Sequence, residues 1–272
     1  MEWPKLKNVI LLILLITNLF LLALMGIRSW NASQYESAAR SDTLEILARN
    51  GISMEETALP KDALLSTASV SRDRAGEAEM LTELLGPVTE ETLGGGQFTY
   101  TGALGQAQLR SRGEFSISLQ PGSYPLSGEP EAHAADTLKK IGFEGTVLSS
   151  TSDSRGNAEV TFLQEWEGSP VLSCQVTVVY KNVDMVSISG TRLPGAPTAG
   201  SLVRLSAVND VLHFLEQIMA SGDVCTQITA MQAGYRLSAG PSDPLPLTPV
   251  WYFQTDSGSY ILNPATMELN RL

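Results

Sequence analysis

The stretch PVLSCQVTVVYKNVDMVSISGTRL, Pro170–Leu193, decides the fold. In its first half Leu172, Cys174, Val176, Val178 and Tyr180 fall on alternate positions, the two-residue period of a strand with one buried face. Val183 to Leu193 is strand-like as well. Working outward, Gly145–Thr151 and Asn157–Glu167 read as strands joined by a turn at Asp153-Ser154-Arg155-Gly156, with another turn at Glu167-Gly168. A short helix precedes this meander at Glu131–Ile141 and is closed by Gly142. After a loop at Pro194–Gly200, an amphipathic helix spans about Ser206–Ala220. Its apolar stripe is Val208, Val211, Leu212, Leu215, Ile218 and Met219, with Ser206 at the N-cap. Strand patterns resume at Val224–Leu237, Thr248–Gln254, Ser259–Asn263 and Met267–Arg271, with a hairpin turn at Asp256-Ser257-Gly258.

Toward the N-terminus, Gln97–Thr101, Gly105–Arg110 and Glu114–Leu119 are short strands. In the last, Phe115, Ile117 and Leu119 alternate with Glu114, Ser116 and Ser118, as in a sheet with one wet face. Gly76–Leu85 reads as a helix ended by Gly86-Pro87, Ile52–Leu59 as extended chain, and Ser33–Asn50 as a helix stopped by Gly51. Pro121–Pro130 is rich in turn formers and marks a domain boundary. The fold class is α+β, helices packed on antiparallel sheets, and the order helix, strands, helix, strands suggests an internal repeat. The organisation expected is 1–30 as cytoplasmic stub and transmembrane helix, 31–125 as a first exported domain and 126–272 as a second. One large exported domain is the alternative.

The anchor rests on VILLILLITNLFLLALMGI, Val9–Ile27, which holds no charge and as a helix spans roughly 28 Å, close to a hydrocarbon core. It exceeds the apolar stretch of a cleavable signal peptide, and Arg28, Ser29 and Trp30 stand where small residues would mark a cleavage site. Lys5 and Lys7 outweigh Arg28, which keeps the N-terminus in the cytoplasm and exports the chain beyond Trp30. Trp3 and Trp30 suit the two interfaces. Thr17 and Asn18 lie mid-span. An amide there either faces a partner helix or is tolerated facing lipid or its own backbone.

The net charge of −11 and the lack of a basic cluster exclude a nucleic-acid partner; Arg72-Asp73-Arg74 reads as a solvated turn. Cys174 and Cys225 are too few for a disulfide framework. They form one bridge or are two buried small apolar residues. No nucleophile elbow, zinc-helix motif, phosphate loop or EF-hand is found, so neither catalysis nor a cofactor or metal is expected. His133 and His213 stand alone on their helices, and Gly94-Gly95-Gly96 reads as a flexible link. Asp153–Asn157 makes an ordinary turn, while Glu165 and Glu167 flank Trp166 on one face, as acids on an edge strand or a glycosidase-like pair.

The opening MEWPKLKN, the apolar span, the Gly51–Pro60 passage and the ending Pro249-Val250-Trp251-Tyr252-Phe253, Asp256-Ser257-Gly258, Tyr260-Ile261-Leu262-Asn263 together resemble the YycI and YycH family. The ending is more loosely similar to PepSY-type domains, although Asn263-Pro264 and Met267 stand where such an ending favours Asp-Ala and Gly. The resemblance implies an accessory protein of the WalK (YycG) sensor histidine kinase, without enzymatic activity or cofactor. Its implied partners are the kinase and a YycH-like paralogue, contacted through the membrane helix and the exported part, and Asn18 is a residue that would serve such a contact. The alternative is an extracytoplasmic protein that binds lipid or cell-wall fragments.

Overall fold

A computed structural model describes residues 3–238 and 243–272, with the backbone path alone at 3–12, 23–24 and 26–33. In chain order the elements are α1 (Trp3–Arg49), β1 (Ser53–Met54), a 3-10 turn (Glu56–Ala58), β2 (Ala63–Val70), α2 (Arg74–Leu85), β3 (Thr89–Gly94), β4 (Gln97–Gly102), β5 (Gly105–Leu109) and β6 (Glu114–Leu119). Next come α3 (Pro130–Lys140), β7 (Gly145–Ser152), β8 (Ala158–Trp166), β9 (Ser169–Lys181), β10 (Asp184–Thr191), β11 (Pro197–Leu205), α4 (Ala207–Ser221), β12 (Gln227–Leu237), β13 (Leu245–Thr255), β14 (Gly258–Asn263) and β15 (Glu268–Arg271). The class is α+β, with a large, mostly antiparallel sheet.

One unit recurs three times: a helix leading into a four-strand antiparallel meander. It is formed by α2 with β3–β6, by α3 with β7–β10 and by α4 with β12–β15. The first two units meet through their last strands, since β6 pairs with β10 in the register Ile117↔Ile188. Both helices pack on the same face, where Leu81, Leu84, Ala134 and Leu138 meet Tyr100, Ile117, Phe162, Val178 and Ile188. Residues on either side of position 125 therefore share one sheet and one core. The opposite face is the expected wet one, with Gln108, Ser116, Ser189, Thr177 and Thr161 side by side across five strands.

The third unit is completed by both ends of the chain. Phe214 of α4 stacks on Phe253 at 4.2 Å and meets Tyr260 edge-on. Leu47, Ile52 and Leu59, from far earlier in sequence, fill the same cluster. β2 pairs antiparallel with both β13 and β11, and Val70 joins Val171, Cys174, Tyr235 and Leu247 in the cluster where the units meet.

Several expectations are corrected. The apolar span and Ser33–Asn50 form a single helix of 47 residues, about 70 Å long, with no break at residue 30. Within Ile52–Leu59, Ser53–Met54 are extended and pair with β12, whereas Glu56–Ala58 form a 3-10 turn. Strands β2 and β3 occupy segments whose periodicity predicts no strand, and β11 occupies most of the expected loop Pro194–Gly200. Gly94, Gly95 and Gly96 all have positive φ and close the β3–β4 hairpin, so they make an ordered turn rather than a flexible link. Ser206 precedes α4 without a side-chain cap. Asp62 substitutes from outside, its Oδ1 accepting the Ala207 N–H at 3.0 Å.

Candidate functional site

Among the residues expected to act, Thr17 and Asn18 are exposed on α1, and the Thr17 hydroxyl donates to the Ile13 carbonyl at 2.8 Å. The side chains of Trp3, Lys5, Lys7, Arg28 and Trp30 lie outside the described residues. Around Thr17 the helix is apolar on all sides. Ile13, Leu14, Leu15, Ile16, Leu19, Phe20, Leu21, Leu22 and Met25 are each more than half exposed. Among the described residues no helix is long and apolar enough to cross a membrane; positions 9–12, 23–24 and 26–27 of the apolar stretch lie outside the described side chains.

The far end of α1 is held firmly. Thr43 and Leu47 are buried, and Arg40 and Leu44 partly so, the helical spacing of a single docked face. The Arg40 guanidinium donates to the carbonyls of Pro60 at 2.7 Å and of Leu59. Gly51, at φ +81°, ends the helix, and the Ile52 N–H returns to the Leu47 carbonyl at 3.0 Å.

Cys174 and Cys225 are free thiols in separate apolar clusters, the second of the two arrangements the sequence left open, and no bridge joins them. Burial pushes the Cys174 thiol up to about 12. A thiol reagent at pH 8 should therefore leave Cys174 unmodified in the folded protein and titrate two thiols in denaturant, as mass spectrometry would read. Native modification of Cys174 would contradict the packing around β9.

Glu165 and Glu167 do not act as a pair: Glu165 faces a groove, whereas Glu167 accepts from the Ser66 hydroxyl at 3.2 Å. His133 contacts Tyr180 through Nδ1 at 2.9 Å; burial, reinforced by Lys140, holds its pKa below the usual value. Asp153 accepts from the Arg155 and Asn157 N–H groups, the expected turn.

The groove itself, about 580 Å³, runs between α2, the end of α3, the end of β8 and the link Arg192–Pro197. The link is pinned by the Asp73 N–H, which donates to the Pro194 carbonyl at 3.0 Å, and by Gly195, where a Cβ would run into the carbonyl oxygen of Ser71. Arg72 is not solvated as expected. It is 10% exposed and pairs through two nitrogens with Glu77, 2% exposed, at 2.8 Å for each bond. Deeper in the groove, the Arg192 guanidinium donates to the Ile141 carbonyl at 3.2 Å, and the Gln164 side-chain oxygen accepts the Leu193 N–H at 2.8 Å. Burial pulls the Arg192 pKa below the ordinary arginine value. None of these groups sits in a recognisable motif; the one local signal is an arginine at a strand end before Leu-Pro-Gly.

No family model and no curated protein matches the chain. Solved structures do. An uncharacterized protein from Eubacterium rectale is similar at 10% identity and TM-score 0.48, with 77% of this chain and 86% of that one covered. The Bacillus megaterium YpeB C-terminal domain is a more distant match at 12% identity and TM-score 0.32, over 75% of this chain and 99% of that one.

Proposed function

We propose that this protein is a membrane-anchored, extracytoplasmic and non-enzymatic regulator of a two-component sensor histidine kinase, of the YycI and YycH kind. The observation that carries the reading is α1. At one end its described side chains from Ile13 to Met25, Thr17 and Asn18 excepted, are apolar and exposed, while the other end is clamped by Arg40 and Leu47 onto the third unit. A helix face so largely apolar calls for a surrounding that the described residues do not supply, and lipid together with a partner helix would provide it. A rigid stalk of about 30 Å from Ile27 to Arg49 would then link intramembrane contacts to the exported part without a slack joint.

The competing lipid-binding reading calls for a deep apolar cavity, and the groove described above is open and mixes charged side chains with Met80, Ile141, Trp166 and Leu193. The anchored-regulator reading is tested with a photo-crosslinking amino acid at Asn18 in intact cells. Adducts with a sensor kinase or a paralogue of this chain are expected. Failure to capture either, or recovery of the polypeptide in the medium beginning after residue 30, overturns the proposal.

A further inference from the structure

Charged side chains withdrawn from water are nearly always paired, because an uncompensated buried charge is costly. Arg192 departs from this rule. It sits partly buried in the groove with a single hydrogen bond, to the Ile141 carbonyl, and among the described residues it forms an ion pair with no carboxylate. The acid in that wall with the strongest pull on it, Glu77, is committed to Arg72 through both of its oxygens. Four more donor positions on the guanidinium remain unspent.

Gln164, 6% exposed, lines the same groove. Its carbonyl oxygen is fixed by the Leu193 N–H, which requires an acceptor, so the side-chain NH2 is left without a partner among the described residues. The rim has the opposite character. Glu79, Glu83, Glu144 and Glu165 line it together with Lys139 and Lys140, so it is net acidic, and among the described residues none of the four glutamates is in an ion pair, while Lys139 pairs with Asp136. Unspent donors beside a net acidic rim favour a molecule that carries a carboxylate at one end and an amine elsewhere over a phosphate or a polyanion.

We propose that this groove is a binding site for a short peptide with a free C-terminus, the carboxylate held by Arg192 and the Gln164 amide and an amino group held by the rim glutamates. A fork of guanidinium N–H groups matches a carboxylate in plane and charge, and the groove has the volume of an ordinary small-ligand site. The assignment does not depend on the anchored-regulator reading: crosslinking at Asn18 and peptide binding succeed or fail separately.

The test is calorimetry on the full chain in nanodiscs with the tripeptide Ala-Lys-Ala, its C-terminal amide, free alanine and inorganic phosphate. The free acid should bind, and the amide should bind at least about tenfold more weakly, since it removes the charge-assisted bonds. Free alanine, which carries both charges but lacks the length to reach the rim, should bind more weakly than the peptide. Arg192→Gln should lose binding to the same extent as the amide while keeping the wild-type thermal midpoint. Should that variant unfold, Arg192→Lys, which keeps charge without the fork, should still weaken the acid and not the amide. Equal binding of acid and amide, phosphate binding as tight as the peptide, or no heat from any probe overturns the site.

Discussion

Glu77→Ala should lower the unfolding free energy by about 3–5 kcal/mol, because it strands a buried guanidinium. Arg72 spends Nε and Nη2 on the two Glu77 oxygens and Nη1 on the Gly96 carbonyl at 2.7 Å, with its plane 4.8 Å over the Phe98 ring. It thereby ties the first turn of α2 to the turn of the β3–β4 hairpin. Glu77 also stands in the first turn of α2, where a negative charge is favoured. Replacing both partners with apolar residues of similar volume should restore most of the loss, since the pair's cost of leaving water disappears with it. Urea titration monitored by near-ultraviolet circular dichroism separates the cases. A single variant as stable as the wild type would mean that water reaches Arg72.

Trp251→Ala is the other large effect, at about 3–5 kcal/mol from the cavity in the third unit's core. Trp251 is wholly buried, and its Nε1–H donates to Asp210 Oδ2 at 2.7 Å; Asp210 itself is 5% exposed. Trp251→Phe keeps much of the volume and removes the donor, so it isolates the hydrogen bond, at about 1–3 kcal/mol. Burial raises the Asp210 pKa above its ordinary 3.8, the Trp251 bond pulling the other way. A raised folded value means that Asp210 stabilises most when protonated, and that its contribution falls as pH rises through that value. Losing a donor to the charged form raises the value further, so the Trp251→Phe deficit should be small near pH 4 and grow toward neutrality. A pH-independent deficit would place the loss in packing alone.

The repeated pattern is visible in the sequence wherever one face of an element is wet. α2, α3, α4 and the alternating strands β6 and β9 fall where periodicity puts them. Elements without that contrast are not legible. β2, ALLSTASV, is half-buried along most of its length because it lies between β13 and β11 where the units meet, and β3, TEETLG, is exposed at every residue because it is an edge. The pairing of β6 with β10 joins residues more than sixty positions apart, and no local signal encodes it. The groove is hidden for a related reason. Arg192, Gln164 and the rim glutamates come from α2, β8 and two separate links, and the one acidic pair that spacing does suggest, Glu165 with Glu167, is split by the structure. Arg72-Asp73-Arg74 reads as a solvated run because its partner Glu77 needs a folded helix turn to reach it.

The third unit draws its core from Leu47, Ile52 and Leu59 as well as from α4 and β12–β14. During synthesis those early leucines and isoleucine are finished long before their neighbours exist. The 147 residues between Leu59 and the start of α4 at Ala207 take roughly 7–29 s at ribosomal speed of about 5–20 residues per second. For that interval the nascent chain carries bare apolar side chains beside a completed β3–β10 sheet, a window in which a holdase would be needed and in which slower translation would raise aggregation.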